Sequence, residues 1–127
     1  MRRLAALCAA AVVLAQPASA QDVDCTNAQT QMELTFCAEQ DWQAADADLN
    51  AAYKAAQEVM RALDAELPKA ERGAEANLRD GQRAWVTFRD ATCAAEGYAM
   101  HGGSAAAMLI YSCRARPTEQ RGADRWT

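Results

Sequence analysis

Through residues 30–93 the apolar positions recur in steps of three and four, and nowhere does the chain alternate apolar with polar residues as a half-buried strand does. Ala, Glu, Gln, Leu and Arg dominate this stretch and β-branched residues are almost absent, which favours helix on intrinsic preference alone. Thr30 followed by Glu33 has the spacing of a capping box, so a helix is predicted to start near Gln31. Pro68 stops it after about 37 residues, roughly 55 Å of rod, with a break allowed near Asp41 and Trp42. One stripe on this rod runs through Trp42, Leu49, Tyr53, Ala56, Met60, Leu63 and Leu67, with Asp46 in an otherwise apolar position. A second stripe follows the proline: Ala74, Leu78, Gly81, Trp85, Phe88 and Thr92. Two such helices joined by a few residues around Pro68 and Lys69 are expected to form an antiparallel hairpin.

In that hairpin, residues facing each other have numbers that sum to about 137, a rule that follows from antiparallel packing about one turn centre. It sets Leu49 against Phe88, Tyr53 against Trp85 and Met60 against Leu78. Ala56 meets Gly81, and a close backbone approach there would account for a mid-helix glycine that otherwise costs about 1 kcal/mol. Asp46 comes level with Arg89, which predicts a partly buried ion pair between the helices. The periodicity lapses after Cys93, where Gly97, Gly102 and Gly103 mark a loop containing Tyr98, Met100 and His101. Ser104 is placed to cap a short helix over 105–113, whose Met108, Leu109 and Ile110 would dock on the hairpin. One last turn starts at Pro117 with Thr118 as its cap, and Trp126 is the residue available to anchor the tail. The expected fold is all-α: a long antiparallel helical hairpin with one or two short C-terminal helices, in a single domain over 21–127.

The first twenty residues change the setting. Met1-Arg2-Arg3, an apolar run over 4–14 and Ala18-Ser19-Ala20 read as a secretory signal peptide over 1–20. Its apolar run, about 11 residues, is too short to span a bilayer. Leu7 stands where a small residue would precede a lipid-modified Cys8, so a soluble periplasmic or secreted protein is expected, with no membrane insertion after cleavage. Cys25, Cys37, Cys93 and Cys113 then enter an oxidising space, where four thiols on a short chain read as two disulfides. Spacing alone leaves three pairings open. The hairpin favours Cys25–Cys37 and Cys93–Cys113, each tying a terminal arm to its own helix, and Cys37–Cys93 is the main rival.

Without Arg2 and Arg3, eleven basic groups face 17 acidic ones, a net charge of −6 that disfavours nucleic acid and anionic lipid and suits a cationic partner. Charge of this size also simply keeps a small domain in solution. Metal chemistry has little to work with: there is no CxxC, and His101 is the only histidine, so neither a metal nor another cofactor is expected. A nucleophile would need a base within reach, and one loop histidine beside four oxidised cysteines supplies none. These residues describe a binding or structural module, not an enzyme.

Four segments resemble one family. They are the opening run over 24–33 with Cys37 following; Ala45-Asp46-Ala47-Asp48-Leu49-Asn50 with Tyr53; Gln82-Arg83-Ala84-Trp85 with Phe88-Arg89-Asp90 and Cys93; and Gly102-Gly103-Ser104 leading to Cys113. In order and cysteine spacing they resemble the LprI-type lysozyme inhibitors, over nearly the whole chain after the leader. The resemblance implies a small, helical, disulfide-bonded exported domain that binds lysozyme and blocks it. The family's usual last helix, a leucine-containing Thr-x-x-Arg segment, is here Pro117-Thr118-Glu119-Gln120-Arg121 with Gly122 close behind. Asp46, Asn50, Tyr53, Trp85 and Arg89 lie on the expected seam, where they specify register through packing and polar pairing. A partner would be met first by Tyr98, Met100, His101 and Ser104, because a loop between bridged cysteines loses less entropy on entering a cleft. The alternative function is an envelope structural or assembly module whose partner is not lysozyme.

Overall fold

A computed structural model describes residues 22–124; the expected leader and Trp126 lie outside them. Among the described residues the α-helices are three: α1 (Gln31–Glu66), α2 (Ala74–Gly97) and α3 (Ala106–Ala123). No strand occurs among the described residues. Helix α1 starts where the capping box puts it, with the Thr30 hydroxyl accepting from the Glu33 amide at 3.2 Å and the Glu33 carboxylate accepting from the Thr30 amide at 2.9 Å. It runs unbroken past Asp41 and Trp42.

The turn into α2 is built by a side chain from α1. Asp64 accepts the amides of Gly73, Ala74 and Glu75 at 2.8, 2.9 and 3.1 Å, so it caps a helix whose own N-cap residue, Gly73, has no side chain. Arg72 closes the same turn by donating from Nε to the Leu67 carbonyl at 3.1 Å. The antiparallel register is fixed by two ion pairs across the hairpin, Asp46–Arg89 at 3.3 Å and Arg61–Glu75 at 3.1 Å. Both have residue numbers that sum to within two of the expected value.

Helix α3 departs most from expectation. It is one helix of 18 residues with Pro117 inside it, where a short helix and a separate turn were expected. Pro117 cannot donate to the Cys113 carbonyl, and burial of Cys113, Ala115 and Thr118 against the hairpin holds the rod together across that lost bond. Thr118 is wholly buried and caps nothing; its hydroxyl donates to the Arg114 carbonyl at 2.6 Å. Ser104 does not cap either, since the N-cap of α3 is Ala105 and no side chain bonds there.

Stacking of Tyr111 on Trp42 and close approach of Gly122 to the Leu49 backbone show that α3 runs parallel to α1, ending about half-way along it. The lower half is therefore a three-helix bundle and the upper half a bare pair of helices. The core follows that division. Ala38, Ala45, Leu49 and Ala56 are buried along α1, while Leu63 and Leu67, expected on the seam, are exposed beyond the reach of α3.

On α2 the buried residues are Gln82, Arg89, Cys93 and Gly97, with Trp85 half-buried among them. Phe88 is 68% exposed and does not face Leu49, and a Cβ on Gly81 would meet nothing within 4 Å, so no close approach to Ala56 occurs there. The close approach falls at Gly97 instead, where a Cβ would sit 2.6 Å from Cγ1 of Ile110. Disulfides Cys25–Cys37 and Cys93–Cys113 link the arms to their own helices, the pairing favoured by the hairpin.

Candidate functional site

Where the three helices meet, the interior is polar. Arg89 comes from the middle of α2 with its side chain only 5% exposed, between the faces of Trp85 and Trp42, whose ring centres lie 5.2 and 5.9 Å from its guanidinium carbon. Its donors are spread over all three helices. Nε donates to Asp90 at 2.9 Å, and Nη1 reaches Asp46 of α1 at 3.3 Å and the Thr118 hydroxyl of α3 at 3.1 Å. Asp46 is completed by Asn50, whose amide donates to its other oxygen at 3.0 Å. Tyr53 lies one turn further on, lining a groove against α2 beside Gln82 and Val86.

Two further arginines extend this stack. Arg114 lies over Trp42 at 4.9 Å and is paired with Asp90 at 3.3 Å, while Arg121 lies over Trp85 at 5.8 Å and reaches Gln82 at 3.5 Å. Arg114, Thr118 and Arg121 are spaced by four and three, which is one face of a helix. That spacing was the available sequence signal, and it was lost because Pro117 and Gly122 read as stops. The guanidinium of Arg89 is paired to all three helices, Gln82 at the edge of the stack lines the groove beside Tyr53, and Trp42 Nε1 and Arg114 Nε are buried without a hydrogen-bond partner. The work of the stack is to lock α3 to the hairpin.

The sequence-predicted loop is placed differently. Tyr98 and Met100 form a short 3₁₀ turn after α2, and His101 follows with its ring stacked on that of Tyr98 at 4.8 Å and 6°. Tyr98 is 70% exposed and Met100 is exposed beside it. Gly102, at φ 77°, supplies the left-handed step that turns the chain toward α3. Ser104 leaves this loop and lies against the first turns of α1, lining a shallow pocket with Met32 and Phe36. The structure thus brings Tyr98 to His101, and Ser104 to α1.

Around Met32 and Phe36 the surface is acidic. Asp24 is held in an Asx turn by the amide and hydroxyl of Thr26 at 2.9 and 2.7 Å and by Asn27 at 2.7 Å, bonds that keep its carboxyl below the usual aspartate range. The amides of Thr30 and Gln29 hold Glu33 low in the same way. Sequence reasoning missed this end of α1, because a helix start with a capping box looks sufficient as structure. No group of three or more His, Cys, Asp or Glu side chains that would hold a metal occurs among the described residues.

The model of one protein family, lysozyme inhibitor LprI, matches residues 24–124. The chain belongs to the LprI family. A protein of Rhizobium meliloti (strain 1021), described as uncharacterized protein R02472, is 42% identical over 113 residues, which cover 85% of this chain and 81% of that relative. No solved structure matches. The LprI match takes in both disulfides, the arginine and tryptophan stack and the exposed 98–104 loop. No helix among the described residues is long and apolar enough to cross a membrane.

Proposed function

We propose that this LprI-family chain is exported to the periplasm or beyond and inhibits lysozyme by associating with it. The observation that carries the reading is the family match over residues 24–124. Two disulfides suit an oxidising compartment, and the −6 charge expected after leader removal suits a partner that is typically cationic. The exposed loop carrying Tyr98, Met100 and His101 lies between Cys93 and Cys113, so it is held in shape before any partner arrives. A glycosidase cleft carries a pair of carboxyl groups, to which His101 or the Tyr98 hydroxyl can hydrogen-bond.

The test is lysozyme turnover on cell-wall substrate with a molar excess of the oxidised protein, at low and moderate salt. Dose-dependent loss of lysis, weaker at higher salt, is the expected result. Undiminished lysis would reject the inhibitor reading in favour of an envelope module with another partner. For the loop, Tyr98→Ser with His101→Ala is expected to weaken inhibition at least tenfold while leaving the helical spectrum unchanged, since neither side chain enters the core. Full inhibition by that variant would remove the loop from the interface.

A further inference from the structure

Met32 and Phe36 stand one turn apart on the first two turns of α1, and both are out of the core: Met32 is 76% and Phe36 40% exposed. Two shallow cavities share them as a common wall. One, of about 640 Å³, lies toward the Cys25 loop, with Val23, Asn27, Asp22 and Asp24 around it. The other, of about 520 Å³, lies toward α3 and ends at Ser104, with Gln31, Thr35 and Glu39 on its sides. The result is an apolar ridge between two hollows, placed beside the loop to which function was assigned above. Exposed apolar side chains in a concave setting with a polar rim are the pattern of a protein-binding surface.

The charge of the chain decides which occupant fits. From Asp22 to Tyr53 there are seven carboxylates and no Lys, Arg or His, whereas from Lys54 onward ten acidic groups are balanced by eleven basic ones. The negative charge of the domain is thus carried entirely by the segment that holds the ridge. Asp46 is tied to Arg89, but Asp22 and Glu39 line the two hollows and form no ion pair with another described residue. A cationic surface with an apolar projection complements this end, and the nearly neutral upper half of the hairpin offers it nothing comparable.

We infer that the Met32–Phe36 ridge, with its acidic rim, is the docking surface for lysozyme, seating a cationic and apolar patch of the enzyme's surface while the adjoining 98–104 loop reaches its cleft. This rests on the inhibitor reading for the identity of the partner. The rim supplies attraction and orientation during approach, and the ridge supplies the contact that slows dissociation.

The experiment measures binding of the oxidised, secreted protein to immobilised lysozyme separately from inhibition. Met32→Ser with Phe36→Ser is expected to weaken binding more than tenfold, chiefly by faster dissociation, with the helical spectrum unchanged because neither residue belongs to the buried core. Asp22→Asn with Glu39→Gln is expected to slow association about five- to tenfold at low salt and flatten its salt dependence, whereas Glu58→Gln with Glu66→Gln on the upper arm leaves both unchanged. Binding that survives the ridge substitutions, or that responds equally to the upper-arm pair, overturns the docking surface and leaves the inhibitor reading standing. Absence of any binding by the unaltered protein overturns both. Binding that depends on the ridge without any loss of lysis supports the surface and rejects inhibition.

Discussion

Arg89 shows how one side chain can replace a hydrophobic core. Its guanidinium is sandwiched by Trp42 and Trp85 and bonded to Asp46, Asp90 and Thr118, so it contacts all three helices at once. Most of its contribution should lie in filling that space and bridging those elements, because its two carboxylates are each 39% exposed and partly compensated by water. Arg89→Ala is therefore expected to cost about 2–3 kcal/mol, below the range for breaking a fully buried pair. Asp46→Asn, which keeps the shape and an oxygen acceptor, should cost no more than about 1 kcal/mol. Arg89→Met separates the causes, since it retains packing against the tryptophans and removes the charge. Urea unfolding followed by circular dichroism should place it between the other two, and a loss as large as that of Arg89→Ala would show that the charge dominates.

At the scale of elements, Asp64 is what makes a hairpin of α1 and α2. Three backbone amides at the start of α2, and after them the neighbouring Arg72, favour its ionised form and hold its carboxyl below the usual value of 3.8. A group whose folded pKa is lowered adds stability that is complete above its unfolded value and disappears as pH falls through the folded value. Asp64→Asn should accordingly be less stable than the unaltered protein by a constant margin at neutral pH, and the margin should close below about pH 4. A margin independent of pH down to pH 2 would mean that the charge contributes nothing to the turn. Asp24 and Glu33, also held low, keep part of the acid sensitivity in the variant.

The same scale shows what was legible in the sequence. Helix existence, the capping box at Thr30, the Asp46–Arg89 pair and the favoured disulfides were readable because each depends on local spacing or on hairpin register. The seam of α2 was misread by one residue. Hydrophobicity selects Gly81, Trp85 and Phe88, but the residues turned inward are Gln82, Trp85 and Arg89, two of them polar. A pattern that assumes an apolar core cannot find one built from arginine, glutamine and tryptophan. Helix α3 was cut short for a related reason: Pro117 and Gly122 are local stop signals, and only burial of Thr118 between helices, with stacking of Arg114 and Arg121 on the tryptophans, outweighs them. The acidic ridge at Met32 and Phe36 stayed hidden because its exposure is a fact of packing, not of spacing.

On the scale of the whole molecule, stability should be distributed along the long axis. Below Leu49 each helix packs against two others and both disulfides lie at that end; above it, α1 and α2 have only each other, with Val59, Leu63 and Leu67 in water. Local opening is easiest where few apolar contacts guard the backbone hydrogen bonds, so the upper arm is the segment expected to open first. Native-state hydrogen exchange should find amides of residues 57–66 and 75–80 exchanging through local openings, with lower protection than those of residues 42–49, 89–96 and 113–118, which require global unfolding. Uniform protection would mean that the Asp64 cap and the Arg61–Glu75 pair make the arm as cooperative as the bundle. Replacing Cys93 and Cys113 by Ala removes a 20-residue closure of about 3 kcal/mol and should lower the protection of the bundle toward that of the arm. The proposed docking ridge and the 98–104 loop both sit at the protected end. A surface that must meet its partner preformed is thereby held by the stablest part of the fold, and fluctuations of the arm need not reach it.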